Sequence, residues 1–182
     1  MGNHPYRLEI VELNQTNLSN INSMDNAFEV KSRIILHIKG DIFDYTIEEV
    51  PGFYTKSYLN DELDYSTYIG NPDRTAYLAY INDKAVGQII LRRWWNKFAW
   101  VEDIRVESKH RGAGIGTKLM DTAVKWAQTS EMRGIMVETQ DTNVPACLFY
   151  QKYGFKMGGA DKMAYGGSKY SKETALFWYL VF

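Results

Sequence analysis

Apolar and polar residues alternate from Tyr6 to Leu13 (YRLEIVEL), the period of a half-buried strand. Asn17 to Met24 reads as a short polar helix. From Val30 to Val50 two β-branched runs flank Lys39-Gly40-Asp41, which predicts a hairpin with Gly40 supplying the positive φ of its turn, ended by Pro51-Gly52. Phe53 to Pro72 is aromatic and acidic without a clean period, and a short surface helix or two is the expectation there. Beyond Pro72 the pattern sharpens into strands over Ala76–Ile81, Ala85–Trp95 and Phe98–Val106, joined by turns at Asn82-Asp83-Lys84 and Asn96-Lys97. The period then lengthens to about 3.6. Ile115, Leu119, Ala123 and Trp126 or Ala127 share one face of a helix expected from about Gly112 to Thr129. A compact strand (Gly134–Thr139), a second helix (Asn143–Tyr153) stopped by Gly154-Phe155, and an aromatic strand (Thr174–Phe182) complete the order. A meander followed by helix, strand, helix and strand predicts an α/β or α+β mixed sheet, with a parallel β-α-β crossover between the strands ending at Val106 and Thr139.

Length changes this picture little: 182 residues predict one domain, 1–182, with residues 1–74 as an N-terminal segment and 75–182 as a core. Hydrophobic residues at 45% and charged residues at 24% argue against disorder. The net charge of −1 offers no field for a polyanion, so nucleic acid is not an expected partner. The start MGNHPYRLEI has no apolar leader core, and no run of 18 apolar residues occurs, so neither a signal peptide nor a membrane span is expected. Cys147 stands alone, in keeping with a reducing cytoplasm, and reads as a small buried hydrophobe rather than a nucleophile. His4, His37 and His110 have no ligand spacing, so no metal is expected.

The candidate chemistry begins at Arg111-Gly112-Ala113-Gly114-Ile115-Gly116, between a strand and a helix start. Glycines there let the backbone turn tightly and bring its N–H groups close to an anion. The helix start adds unpaired N–H groups and a positive dipole end, and Arg111 a fork suited to phosphate oxygens. The P-loop is excluded because Gly116 is followed by Thr117 and only then Lys118. The dinucleotide fingerprint is excluded because Thr117 stands where it needs glycine.

RGAGIG after the strand AWVEDIRV resembles the acyl-CoA signature of the GNAT acetyltransferases. The stretch from Asn143 to Phe155 (NVPACLFYQKYGF) resembles their second motif, and the resemblance covers roughly Thr75 to Phe182. It is nearest to the streptothricin-acetylating members, which carry a segment like Glu102-Asp103-Ile104-Arg105-Val106 and a similar aromatic last strand. The resemblance implies a GNAT-like fold, a central, mostly antiparallel sheet with splayed central strands, and acetyl-CoA as cosubstrate. Arg111, Gly112, Ala113, Gly114, Ile115, Gly116 and Thr117 would then hold the pyrophosphate. Ile104 and Val106 would pair with the pantetheine through the main chain, Asn143 would contact it, and Lys152 would reach toward the nucleotide. Tyr150 matches the tyrosine that acts as general acid, with Tyr153 its competitor.

An alkyl amine of ordinary pKa is nucleophilic in only roughly one molecule in 2,500 at pH 7, a deficit of about 4.6 kcal/mol. A base, or a site that lowers the amine pKa, must offset it. Strand alternation puts Glu102 and Asp103 on opposite faces, so one of them faces the acceptor. The period does not say which. Glu102 is the first candidate, Asp103 the second and Glu138 the third.

From Asp41 to Asp73 eight acidic residues stand against Lys56 alone, a net −7, interleaved with Tyr45, Phe53, Tyr54, Tyr58, Tyr65 and Tyr68. Carboxylates and ring faces together suit a cationic small-molecule amine, while a solvated acidic surface is the plainer reading. With the resemblance, the expected acceptor is the β-lysine amine of streptothricin. A protein lysine, a polyamine and an aminoglycoside are the alternatives within the enzyme class, and a non-catalytic acyl-CoA-binding regulator is the one outside it. The terminal aromatic strand is a candidate either for pairing across a homodimer or for a place inside the sheet.

Overall fold

The computed structural model describes residues 7–58, 60 and 62–182; Gly2, His4, Tyr6, Leu59 and Asp61 lie outside the described residues. In chain order the strands are β1 (Leu8–Glu12), β2 (Phe28–Lys39), β3 (Ile42–Lys56), β4 (Arg74–Ile81), β5 (Lys84–Arg93), β6 (Ala99–Val106), β7 (Gly134–Gln140), β8 (Lys156–Asp161) and β9 (Ala175–Val181). Helix α1 (Ile115–Thr129) lies between β6 and β7, and α2 (Val144–Tyr153) between β7 and β8. The result is a mixed α/β architecture with mostly antiparallel pairing. Among the described residues no helix is long and apolar enough to cross a membrane.

Two compact units interleave along the chain. The first comprises the described residues up to Ala27 with Ser57–Ile135, the second Phe28–Lys56 with Met136–Phe182. In the first, the strands run β1-β4-β5-β6, each antiparallel to its neighbour. The predicted turns form where small or polar residues accept positive φ, at Asn82, Asp83 and Lys97. Residues 85–91 of β5 are buried without interruption, as a strand covered on both faces must be. On one face lies α1, whose buried stripe is Ile115, Leu119, Met120, Ala123 and Ala127. On the other, Ala76, Leu78 and Ile90 pack with Leu13, Met24 and Tyr68.

Three expectations change. The helix expected over Asn17–Met24 is only a 3-10 turn, Leu18–Asn20. Asparagine side chains compete for its backbone, Asn17 accepting from the Asn14 N–H at 2.8 Å, and Asn22 has φ 59°. Helix α1 begins at Ile115 rather than Gly112, because Gly112 and Gly114 both sit at φ 80°, outside the helical region. Pro51-Gly52 does not end β3. Val50–Phe53 bulge out opposite Lys31, between the pairs Val30–Tyr54 and Ser32–Glu49, and pairing resumes to Lys56.

In the second unit β2 and β3 form the expected hairpin, with Gly40 at φ 59°. The remaining strands run β7-β9-β8, so the aromatic terminal strand lies inside this sheet and not at its edge. Lys56 is not a surface base in an acidic run. It is buried, its ammonium 2.5 Å from Glu173 and 4.3 Å from the Tyr170 ring centre. The acidic stretch itself is divided between the units at Lys56 and Ser57. Asp64 accepts from the Ser66 N–H at 3.0 Å, and Asp73 pairs with Arg93 at 2.7 Å.

Candidate active site

The carboxylates of β6 take their geometry from a bulge. Ile90 pairs with Asp103 and Leu91 with Val101, so Glu102 has no partner position on β5. Such an extra residue interrupts the alternation of side chains. Glu102 lies 2.8 Å from the Arg92 guanidinium and accepts from the Tyr68 hydroxyl at 2.5 Å. Asp103 accepts from Gln88 Nε2 at 2.6 Å and pairs with Arg105 at 2.8 Å. Gln88, Ile90 and Arg92 are alternate residues of β5 and share a face. Glu102 and Asp103 therefore project to the same face, and the expectation of opposite faces is corrected.

The contacts of Asp103 extend further along this face. Gln88 also donates to Asn22 Oδ1 at 2.8 Å, and Arg105 to Asn60 Oδ1 at 2.7 Å. Burial and the adjacent Glu102 carboxylate push the Tyr68 phenol up, so it stays a donor at any physiological pH. Farther along the face Arg92 lies over the Trp94 ring at 4.3 Å, and Trp94 stacks on Trp100 at 5.3 Å. Glu102 and Asp103 each have an arginine partner that balances their charge, which suits them to fixing a water or an N–H group.

The loop after β6 is anchored at its start. Asp25 accepts from the Ser108 hydroxyl at 2.9 Å, and these hydrogen bonds hold its carboxyl below the usual range. Arg111 donates through Nε to the Val106 carbonyl at 2.9 Å. At Gly112 and Gly114 an added Cβ would meet nothing within 4 Å, so the loop's outer side is open, while φ 80° at both disfavours any other residue. The first helical hydrogen bond runs from the Lys118 N–H to the Gly114 carbonyl, leaving the N–H groups of Ile115, Gly116 and Thr117 without intrahelical acceptors. A pyrophosphate fits this donor set: exposed backbone, aligned N–H groups and an adjacent guanidinium. Ile104 and Val106 lie half-buried on the α1 face of β6, opposite Ile89 and Gly87.

In the second unit Asn143 caps α2, its side chain accepting from the Ala146 N–H at 3.4 Å. Val144, Cys147 and Tyr150 form the buried stripe of this helix, Tyr153 is half-buried, and Lys152 is exposed in the last turn. Tyr150 packs on Phe155 with ring centres 5.4 Å apart, and its carbonyl accepts from the Gly154 and Phe155 N–H groups, closing the helix at a left-handed glycine. Cys147 lies 3.3 Å from Thr139 Oγ1, and burial pushes its thiol up to about 12. A thiol held protonated is no nucleophile, in agreement with its reading as a small core residue. Glu138 accepts from the Tyr165 hydroxyl, and burial raises its carboxyl.

Sequence reasoning missed Tyr68, Arg92, Gln88 and Asp25 as the groups that fix these carboxylates and the loop. Tyr68 and Asp25 lie 34 and 83 residues from their partners, and Gln88 and Arg92 meet theirs only through the register of β5 and β6, which no local spacing signals. The bulge at Glu102 is equally silent, because AWVEDIRV alternates acceptably in either register.

A strand, an open left-handed glycine loop and a helix start with free N–H groups form an anion-binding turn. The chain belongs to the acetyltransferase (GNAT) family, whose model matches residues 41–155, and it is an N-acetyltransferase. It is 35% identical to streptothricin acetyltransferase A of Bacillus subtilis (strain 168) over 173 residues, 95% of this chain and 99% of that one. It is 36% identical to a streptothricin acetyltransferase of Escherichia coli, over 85% of this chain and 86% of the other. The 1.6 Å crystal structure of a Bacillus anthracis protein in complex with acetyl coenzyme A superposes with a TM-score of 0.89 at 43% identity, covering 97% of this chain and 99% of that one.

Proposed function

We propose that the protein transfers the acetyl group of acetyl-CoA to the β-lysine amine of streptothricin, and so confers resistance to it. The observation that carries this reading is the similarity along nearly the whole length to streptothricin acetyltransferase A, N-terminal segment included. A cytoplasmic location goes with it, supported by a lone cysteine that can form no internal disulfide.

The cosubstrate supplies an activated acetyl thioester. The 111–117 loop binds its pyrophosphate through backbone N–H groups and Arg111, the backbone of Ile104 and Val106 pairs with the pantetheine, Asn143 contacts it, and Lys152 reaches toward the nucleotide. Glu102, fixed by Arg92 and Tyr68, takes the amine proton through a water, and Asp103 keeps the adjoining network in register. Tyr150 holds a proton at its hydroxyl for the leaving thiolate. A phenol of pKa about 10 is protonated at pH 7 and is suited to donate there.

A bacterial host expressing the protein should grow at streptothricin concentrations that stop the same host without it. Growth no better than that of the host with an empty vector would contradict the reading.

A further inference from the structure

The turn that leads into the glycine loop gathers basic side chains around one carboxylate, all within the first unit. Lys84 opens β5 behind the turn at Asn82 and Asp83, and Lys109 sits in the 3-10 turn Ser108–His110. The Lys84 ammonium lies 3.0 Å from Glu107 Oε1 and the Lys109 ammonium 3.2 Å from Oε2, so the carboxylate holds one lysine at each oxygen. His110 Nε2 stands 3.6 Å from the same Oε2. Hydrogen bonds from Lys84, and then from Lys109, hold the Glu107 carboxyl below the usual range. Among the described residues Asp83 makes no ion pair with either lysine.

The cluster stands on fixed backbone. The Glu107 N–H donates to the Val86 carbonyl at 2.8 Å, and the His110 N–H to the Glu107 carbonyl at 2.8 Å. Asp25 holds Ser108 between them. Arg111 ties the cluster to the loop, because the Val106 carbonyl to which its Nε donates belongs to the peptide group shared with Glu107. Glu107 is only 17% exposed, whereas Lys84 and Lys109 are 60% and 59% exposed. Each ammonium has three N–H donors and gives one to the carboxylate, which leaves the others for an incoming acceptor. Two permanent cations against one carboxylate also leave a surplus charge, and an anion placed between them relieves their repulsion.

A phosphate monoester carries close to two negative charges at neutral pH, and lysines bind such a group as point charges. In acetyl-CoA the loop N–H groups and Arg111 answer the pyrophosphate, and the same ribose bears a further phosphate at its 3′ position. We infer that Lys84 and Lys109, presented by Glu107, bind this 3′-phosphate. The inference rests on the assignment of the 111–117 loop to the pyrophosphate in the proposed acetylation, and it deepens that assignment. It gives the protein a means of distinguishing CoA from its 3′-dephosphorylated form.

Glutamine at both positions removes the charges and keeps a polar side chain on an exposed surface. Binding of CoA and of dephospho-CoA is measured by calorimetry at low ionic strength, for the wild type and for the double variant Lys84→Gln with Lys109→Gln, alongside thermal melting. The wild type is expected to bind CoA about tenfold more tightly than dephospho-CoA. The double variant should bind the two ligands within about twofold of each other, with its affinity for dephospho-CoA within about twofold of the wild type's and an unchanged melting temperature. Equal wild-type affinity for the two ligands would overturn the subsite. So would a preference for CoA that survives in the double variant, by placing the phosphate on other residues, and an equal weakening of both ligands, by putting the lysines on the pyrophosphate. A wild type that prefers CoA through these lysines yet transfers no acetyl group to streptothricin would retire the acetylation reading and leave the subsite standing. No binding of either ligand would overturn both.

Discussion

Tyr150→Phe is expected to lower kcat about a hundredfold, the loss typical of removing a general acid, with the KM for acetyl-CoA within about twofold. Tyr150 is only 3% exposed, and the hydrogen bonds from the Gly154 and Phe155 N–H groups to its carbonyl fix the end of α2. Phenylalanine keeps the packing against Phe149 and Phe155 and deletes only the hydroxyl. The stability lost should therefore be about 1 kcal/mol, and the kinetic defect should exceed anything misfolding could cause. Steady-state kinetics at saturating acetyl-CoA checks it. An unchanged kcat would remove Tyr150 as the proton donor, and Tyr153→Phe would then be the variant to measure.

Lys56→Ala is expected to destabilise the protein by about 3–5 kcal/mol, the usual cost of breaking a buried ion pair from one side. The Lys56 side chain is 3% exposed and that of Glu173 10%, so removing the ammonium strands a carboxylate out of water. The Tyr170 ring loses its cation as well. Replacing both partners with apolar residues of similar volume, Lys56→Met with Glu173→Leu, should recover most of the loss, because neither charge then remains to be solvated. Urea unfolding of the two variants and the wild type measures this. A single variant within about 1 kcal/mol of the wild type would mean that water reaches the pair and that the burial argument fails.

The regular elements could be read from the chain because their patterns are local. Strands β4 to β6 alternate and turn at Asn82-Asp83 and Lys97, residues that tolerate positive φ. Helix α1 repeats its apolar residues at helical spacing, and Ala127 rather than Trp126 completes the buried stripe. The geometry of the glycine loop was equally legible, since Gly112 and Gly114 announce positive φ and an open side. Strand β8 left no such mark. Its KMGGAD has little strand character, yet Gly158 is needed there, because a Cβ would come within 2.6 Å of the Tyr179 ring.

What stayed hidden is what depends on distant partners. No sequence pattern distinguishes a buried Lys56 from an exposed one, and its partner lies 117 residues away. The bulge at Glu102 is the clearest instance. One extra residue in β6 reverses the faces that simple alternation assigns, and it sets Glu102, held by Tyr68 and Arg92, on the same face as Asp103, held by Gln88 and Arg105. The carboxylates were identifiable as candidates from their place before the glycine loop. Their arginine partners, which decide what they can do, were not.

One measurement tests the identity of the acceptor directly: purified protein is incubated with acetyl-CoA and streptothricin, CoA release is followed, and the product is fragmented in a mass spectrometer. The predicted result is one CoA released per streptothricin consumed, with the new acetyl group on the β-lysine amine. CoA release with a lysine peptide, a polyamine or an aminoglycoside but none with streptothricin would contradict the account.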